Sequence, residues 1–192
     1  FLHVGRLAPE KNVELVLSAF SRARLQLPDM ALRLIVAGAG PSEQVLRSYA
    51  THGVTFLGAV DRTSELPSLY ASVDAFVTAS TTETLGLVTL EAMASGLPVV
   101  ACREGGLRDY LEHAHNGLAF VANDVDDCAS AMVRLVSDAS LQERLRSGAR
   151  QTAEIWSSSR ELDRIDELFR GEITARARAP MSPHALIPHV AR

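Results

Sequence analysis

The segment TETLGLVTLEAMASGLPVVACREGG, residues 82–106, runs from a glycine-containing loop through an apolar helix-forming stretch into a buried-strand pattern. Gly96 and Pro98 end the helical stretch, and the strand-like LPVVAC follows. Between residues 84 and 102 the only charged side chain is Glu91. A carboxylate in apolar surroundings is costly unless another group pairs with it. The segment therefore predicts a helix followed by a strand, with a binding site near Glu91.

Short β-type runs alternate with segments of helical period along most of the chain. The six predicted strands are residues 1–4, 32–37, 54–57, 75–78, 99–101 and 117–121. Strands that are apolar on both faces and separated by helices are typical of a parallel sheet covered by helices on both sides. The sequence therefore predicts an α/β fold with a doubly wound parallel sheet of about six strands.

The C-terminal end of the chain has a different character. Residues 124–169 have a helical pattern, whereas the final segment contains three of the eight prolines and no acidic residue after Glu172. We therefore expect one domain over residues 1–170 and a flexible extension over residues 171–192. The chain starts on an apolar run without an initiator methionine, as expected of a domain cut from a longer protein.

The overall composition narrows the choice of partners and compartment. The net charge of -4 predicts no general affinity for nucleic acid or for an anionic membrane. Cys102 and Cys128 have no CxxC partner, so two free thiols in a reducing, cytoplasmic compartment are expected. No uninterrupted apolar run is long enough to span a bilayer.

The first loop, GRLAPEKN, carries two cations immediately before a predicted helix. Arg6 and Lys11 there can bind a phosphate together with free backbone amides, or they can be solvated surface cations. The second loop contains Gly38-Ala39-Gly40, but Glu43 stands where a dinucleotide fingerprint has its third glycine. A nicotinamide cofactor is therefore not expected.

The loop before the apolar helix offers complementary groups. Gly86 allows a close backbone approach, and the amides of residues 85–88 open the following helix as a second anion site. Glu83 and Glu91 flank this position, and a carboxylate accepts well from vicinal hydroxyls of a ribose or another sugar. Alternatively, Glu83 is a solvated loop residue and Glu91 is satisfied by local amides. A glycosidase acid/base pair would leave the cationic loop unexplained.

Two patterns that resemble metal sites have simpler explanations. Asp124 and Asp126 stand where a helix should begin, so helix capping is expected there. His113 and His115 lie next to a turn without acids or cysteines at ligand spacing, as surface residues often do. No metal site is expected.

Four motifs in order, GRLAPEKN, VAGAGP, ETLGLVTLE and VVACREGG, resemble those of the retaining glycosyltransferases of family 4. The resemblance covers about residues 1–169 and the C-terminal, nucleotide-sugar-binding half of those enzymes. It implies half of a GT-B fold, which consists of two Rossmann-like domains. Asn12 replaces a common glycine, Leu85 replaces a common phenylalanine as in sulfolipid-synthase-like branches, and Asp109 stands where many members have glutamate.

The resemblance also implies a role for each residue of the site. Arg6 and Lys11 would hold the donor diphosphate, and Glu83 would take hydroxyls of the transferred sugar. Backbone amides of Gly86 and Leu87 would add to the phosphate site. The full predicted set is Arg6, Lys11 and Glu83 as catalytic residues, with Gly5, Val60, Leu85, Gly86, Leu87 and Glu91 as substrate-binding residues.

In this set Glu91 would bind the ribose hydroxyls, and Val60 would lie near the base. The implied function is donor binding in a retaining, metal-independent glycosyltransferase that uses a UDP-sugar and needs no cofactor. The acceptor would bind a missing N-terminal domain, which would also make any peripheral membrane contact, so this chain alone should be inactive. The alternatives are a GDP-mannose-dependent mannosyltransferase and a non-catalytic nucleotide-sugar-binding or scaffolding domain.

Overall fold

The structure of the chain, a computed structural model, describes residues 1–157. Its strands all pair in parallel and form one six-stranded sheet in the order β3-β2-β1-β4-β5-β6. The strands are β1 (Leu2–Val4), β2 (Leu34–Ala37), β3 (Val54–Gly58), β4 (Phe76–Thr78), β5 (Val99–Cys102) and β6 (Gly117–Phe120). The predicted parallel α/β sheet is confirmed, with every strand boundary within two residues of the prediction.

Helices follow most of the strands and pack on the sheet. They are α1 (Val13–Gln26), α2 (Glu43–Tyr49), α3 (Leu66–Ala71), α4 (Leu87–Ala94), α5 (Val125–Ser137) and α6 (Ala139–Ile155). Two short 3-10 helices, Pro9–Lys11 and Gly105–Asp109, lie in the loops after β1 and β5. The predicted helical region 124–169 contains a break at Asp138. Its end, the predicted domain boundary at residue 170 and the predicted tail lie outside the described residues.

The sheet is buried on both faces. Helix α1 packs against α5, and α4 packs against α6. Val36, Val77 and Val100 join the core formed with α1 and α5. All four side chains of β5 are buried, which explains the uninterrupted apolar run in the sequence. Within residues 1–157, no helix has the length and apolar character needed to cross a membrane.

The strand order creates one reversal of winding, between β1 and β4. The chain moves outward from β1 to β2 and β3, then returns to place β4 on the other side of β1. This is the order of a Rossmann-like fold, in which ligands bind beyond the carboxyl ends of the strands at that reversal. The loops after β1 and β4, residues 5–12 and 79–86, therefore meet at the expected ligand position.

Candidate functional site

The loop after β1 is shaped by a 3-10 turn. Lys11 donates its backbone N–H to the carbonyl of Ala8 at 3.0 Å, and Asn12 donates to Pro9 at 3.0 Å. Asn12 has φ 49° and ψ 42°, in the left-handed region, directly before α1. Asparagine tolerates this conformation better than most residues, which explains how it replaces a glycine here. Its side-chain amide also donates to Asn123 at 3.1 Å.

The loops after β1 and β4 are joined by an ion pair. Lys11 Nζ lies 2.6 Å from Glu83 Oε1, and the two side chains are 22% and 14% exposed. Two of the predicted catalytic residues are therefore in direct contact. An ammonium has three N–H donors, so this bond leaves two for another acceptor.

The glycine pair after β5 supports the backbone at Glu83. Gly106 N–H donates to the carbonyl of Glu83 at 2.7 Å. A Cβ atom on Gly106 would overlap the backbone of Thr84, and one on Gly105, whose φ is 55°, would lie 2.5 Å from the Glu83 carbonyl oxygen. Only a residue without a side chain allows the two loops to approach so closely. The motif VVACREGG alone does not reveal this support, because the glycine pair and Glu83 lie in loops that follow different strands.

Gly86, immediately before α4, has a left-handed conformation, with φ 70° and ψ 50°. A Cβ atom there would lie 2.7 Å from Leu107 Cδ1 and 2.8 Å from the Tyr110 hydroxyl oxygen. The first N–H groups of a helix have no partner within the helix, so those that follow Gly86 can meet an anion. Leu85 is half-buried, and the Leu87 side chain is 52% exposed.

A cavity of about 360 Å³ lies at the carboxyl ends of β1, β2 and β3, bounded on one side by α4. Its lining residues are Val4, Gly5, Arg6, Ala37, Gly38, Ala39, Ala59, Val60, Arg62, Leu66, Val88 and Glu91. Four members of the predicted set, Gly5, Arg6, Val60 and Glu91, are thus brought together. The Arg6 side chain is exposed and has no hydrogen-bond or ion-pair partner among the described residues. It is available for an anionic ligand.

The Glu91 carboxylate, expected to need a partner, has two. Arg62 forms an ion pair with Oε1. The Tyr70 hydroxyl lies 3.2 Å from Oε2 and 3.0 Å from the carbonyl oxygen of Val88. The alternative that local amides satisfy Glu91 is therefore wrong. Both partners were missed because they lie 29 and 21 residues away in the chain. The one available signal was that Arg62 and Tyr70 follow β3, whose carboxyl end lies at the same edge of the sheet as the predicted site.

The loop that carries Arg62 is ordered by Asp61. Asp61 Oδ1 accepts from the backbone of Thr63 at 3.0 Å, the backbone of Ser64 at 2.7 Å and the Ser64 hydroxyl at 2.7 Å. These bonds, that from the Ser64 hydroxyl above all, lower the pKa of the Asp61 carboxyl. Glu65 Oε2 accepts from the Asp61 N–H at 2.8 Å. The loop therefore enters α3 in a defined conformation.

His3, on β1, is a buried polar residue that the sequence analysis did not single out. Its Nδ1 lies 3.1 Å from the carbonyl oxygen of Val77, which can only accept, so the proton must be on Nδ1. Nε2 is then unprotonated, and it has no partner among residues 1–157. Burial lowers the pKa of His3 to about 4, and the charges of Lys11 and Glu83 act on it in opposite directions. The imidazole is neutral at physiological pH.

The residues that mimic metal ligands serve structural roles. Asp124 caps α5 by accepting from the N–H groups of Asp126 and Asp127, each at 2.9 Å, as predicted. The described residues contain no group of three or more His, Cys, Asp or Glu that could hold a metal ion. The thiols of Cys102 and Cys128 are free and buried, and burial raises their pKa to about 11 and about 12. They are protonated at neutral pH.

Comparison with known families gives the class of the protein. The profile of the family described as "Glycosyl transferases group 1" matches residues 1–138. The match covers most of the domain, including every strand of the sheet and all residues of the predicted site. The chain belongs to this family.

Several named enzymes are similar in sequence. The sulfoquinovosyl transferase SQD2 of Arabidopsis thaliana is 38% identical over 156 residues, covering 80% of this chain and 29% of the relative. A D-inositol 3-phosphate glycosyltransferase of Stackebrandtia nassauensis is 35% identical, covering 92% and 42%. A GDP-mannose-dependent alpha-(1-6)-phosphatidylinositol monomannoside mannosyltransferase of Mycobacterium tuberculosis is 31% identical, covering 90% and 48%. The chain thus spans less than half the length of each of these relatives.

Solved structures share the fold. The Anabaena protein HepE in complex with UDP-glucose has a TM-score of 0.70 and 26% identity, covering 79% of this chain and 43% of that one. The pneumococcal O-GlcNAc transferase GtfA in complex with UDP and GlcNAc has a TM-score of 0.76 and 24% identity, covering 88% and 35%. The fold is therefore one half of the GT-B architecture, as the motif resemblance implied.

Proposed function

We propose that this chain is the donor-binding half of a retaining glycosyltransferase that takes its sugar from a UDP-sugar. One observation carries the proposal. Arg6 and Glu91 line a single cavity at the winding reversal of the sheet, and the loops that flank it are joined by the Lys11–Glu83 pair. The cavity has a cation for phosphate, a carboxylate for hydroxyls and an apolar lining for a base. This combination suits a nucleotide sugar.

The proposed orientation of the donor follows from these groups. The base lies towards Val60, the ribose hydroxyls donate to Glu91, and the diphosphate meets Arg6 and the amides that follow Gly86. Gly5 allows the ligand to approach the end of β1. The Lys11–Glu83 pair lies where the transferred sugar joins the diphosphate, so Lys11 can donate to phosphate while Glu83 accepts from sugar hydroxyls.

The proposed chemistry needs no protein nucleophile from this half. As the nucleoside diphosphate departs, negative charge builds on its terminal phosphate. Arg6, Lys11 and the N-terminus of α4 stabilise that charge from fixed positions, which is electrostatic preorganisation. In this proposal neither a metal ion nor a cofactor takes part. The acceptor binds to a second domain outside this sequence, so transfer requires both halves.

The choice of UDP rests on similar proteins, and the binding of different nucleotides can be compared directly to test it. The solved neighbour with 26% identity holds UDP-glucose. The mycobacterial relative, whose name specifies GDP-mannose, favours a second candidate, a GDP-mannose-dependent mannosyltransferase. Because both candidates use the same phosphate and ribose contacts, only the base distinguishes them.

The test is calorimetric titration of the protein with UDP, GDP and ADP. We expect UDP to bind in the micromolar range and the two purine nucleotides at least ten-fold more weakly. Preference for GDP would favour the mannosyltransferase candidate. Arg6→Met should weaken UDP binding by about ten-fold, the value of one charge-assisted hydrogen bond. Arg33→Met is the matched control, since Arg33 is exposed and does not line the cavity. If no nucleotide binds below millimolar concentration, the proposed function is wrong.

A further inference from the structure

The two oxygens of the Glu91 carboxylate have partners of different kinds. Arg62, on Oε1, has a side chain that is 63% exposed. Tyr70, on Oε2, is 3% exposed as a residue. One oxygen is therefore bonded from the protein interior, and the other is covered by a long side chain reaching in from solvent.

The Tyr70 hydroxyl bridges two positions of the same helix. It has one proton, and both neighbours, the Val88 carbonyl at 3.0 Å and Glu91 Oε2 at 3.2 Å, accept only. The proton is shared between the first turn of α4 and the carboxylate one turn further. Because burial and the negative charge of Glu91 both raise the pKa of Tyr70 above its ordinary value, the hydroxyl remains a donor at neutral pH.

Tyr70 is itself fixed in place. Its ring packs against Phe76 of β4 with centroids 6.3 Å apart. It lies on α3, whose start is bonded to the ordered loop before it, since Leu66 N–H donates to Asp61 at 3.0 Å. A buried ring on a short, well-anchored helix can hold a carboxylate in one orientation more strictly than an exposed side chain can.

The contact of Arg62 with Glu91 is the weaker of the two. A partly exposed ion pair contributes little net free energy, because water screens the charges and the long side chain loses rotamer freedom. Hydroxyl groups of a ligand can therefore displace Arg62 from Oε1 at small cost. They cannot as easily displace Tyr70, because this residue is almost fully buried.

We propose that Tyr70 is a positioning residue for ribose recognition: it holds Oε2 of Glu91 so that Oε1 is presented to the ribose, with Arg62 as its displaceable occupant in the free protein. This rests on the proposed function, in which Glu91 accepts from the ribose. An oriented carboxylate can accept from both neighbouring hydroxyls of a ribose, whereas a 2'-deoxyribose offers one. The discrimination between the two sugars therefore reports on the orientation of Glu91.

The experiment compares UDP with 2'-deoxy-UDP on the wild-type protein and on Tyr70→Phe, which keeps the ring and removes the hydroxyl. We expect the wild type to bind UDP about ten-fold more tightly than 2'-deoxy-UDP, the effect of one hydrogen bond to a charged group. In Tyr70→Phe the affinity for UDP should fall about three- to ten-fold, while that for 2'-deoxy-UDP changes less than two-fold. Tyr49→Phe, which removes an exposed hydroxyl, should leave both affinities unchanged.

If the role of Tyr70 were purely structural, Tyr70→Phe would weaken the binding of UDP and of 2'-deoxy-UDP equally. That result would overturn the proposal, and so would unchanged affinities for both ligands. Tyr70→Phe should also have no further effect in a Glu91→Ala background, because the hydroxyl then has no carboxylate to orient. Additive losses in the double variant would contradict the proposal. If the wild type prefers UDP to 2'-deoxy-UDP and Tyr70→Phe keeps that preference, only the positioning role fails. If the wild type binds no nucleotide, the proposed function fails and this inference with it.

Discussion

Lys11 and Glu83 lie 72 residues apart in the chain, yet their side chains form a 2.6 Å ion pair across the loops that follow the neighbouring strands β1 and β4. The pair exists because the sheet reverses its winding between these strands, which brings the two loops to one place. Both side chains are largely shielded from solvent, so each charge depends on the other. A cation and an acceptor for hydroxyls are thereby held side by side.

Replacing the cation of this pair should reduce sugar transfer strongly and the stability of the fold only modestly. In Lys11→Met the aliphatic stem remains, but the phosphate contact is lost and Glu83 is left unpaired. We expect sugar transfer by the full-length enzyme to fall at least 100-fold, in line with the loss of one preorganised charge. The free energy of unfolding should fall by about 1–2 kcal/mol. Transfer assays and urea denaturation measure the two effects.

The double variant Lys11→Met, Glu83→Gln is the control for this prediction. Neutralising Glu83 removes the unpaired charge, so the double variant should regain most of the lost stability without regaining transfer. Near-normal transfer by Lys11→Met alone would show that Lys11 has no part in the reaction.

Gly105 and Gly106 should be needed for sugar transfer, because they fix the position of Glu83. In Gly106→Ala the new Cβ would overlap the Thr84 backbone, so the loop that carries Glu83 must shift. We expect at least a 100-fold loss of transfer, because a misplacement of about 1 Å in a reacting group can cost that much. The cost in stability should be about 1–3 kcal/mol.

Gly96→Ala provides a comparison at a second glycine. Gly96 has φ 75°, and a Cβ there would meet nothing within 4 Å. The variant should lose about 1 kcal/mol of stability through backbone strain and should keep its transfer activity. Equal loss of transfer in both variants would show that general destabilisation, rather than the position of Glu83, is responsible.

The fold was predictable because strands buried on both faces leave long apolar runs, and glycine-rich loops mark where those runs end. The same logic identified Arg6 and Glu91, and the motif resemblance added Val60. All three line one cavity. The partners of Glu91 were not predictable. Its neighbours in sequence are apolar, but its neighbours in space, Arg62 and Tyr70, come from a different strand–helix unit. Sequence periodicity shows which face of a helix is buried and does not show which residue meets it.

If Arg62 occupies the ribose position, its removal should raise the affinity of the protein for the nucleotide. In Arg62→Met the Glu91 carboxylate no longer has to be vacated, so we expect UDP affinity to rise about two- to five-fold, the range that a partly exposed ion pair can contribute. Calorimetry at low and high salt checks the cause, because salt weakens the ion pair and should narrow the difference between the variant and the wild type.

Arg47→Met is the matched control for Arg62. It breaks the Arg47–Glu43 ion pair on α2, and neither residue lines the cavity. UDP affinity should not change in this variant. A loss of affinity in Arg62→Met would mean that Arg62 contacts the bound nucleotide rather than competing with it.

His3 should make the stability of the protein depend on pH. Its pKa is about 4 in the folded state, against 6.5 when unperturbed, because burial disfavours the imidazolium. The unfolded chain therefore takes up a proton as the pH falls below 6.5, whereas the folded chain does not until about pH 4. The contribution of neutral His3 is complete above the unfolded pKa and is lost as the pH falls through this window. The loss between pH 7 and pH 4.5 should be on the order of 2–3 kcal/mol.

Urea denaturation of the wild type and of His3→Leu over this pH range measures the effect. Leucine cannot titrate, and the carboxylates that contribute to acid destabilisation are the same in both proteins. The difference between the two curves therefore belongs to His3. We expect the wild type to lose 2–3 kcal/mol more than His3→Leu, again on the order of two pKa units of linkage. Parallel curves would mean that the pKa of His3 is the same in the folded and the unfolded protein, so that burial does not disfavour the imidazolium.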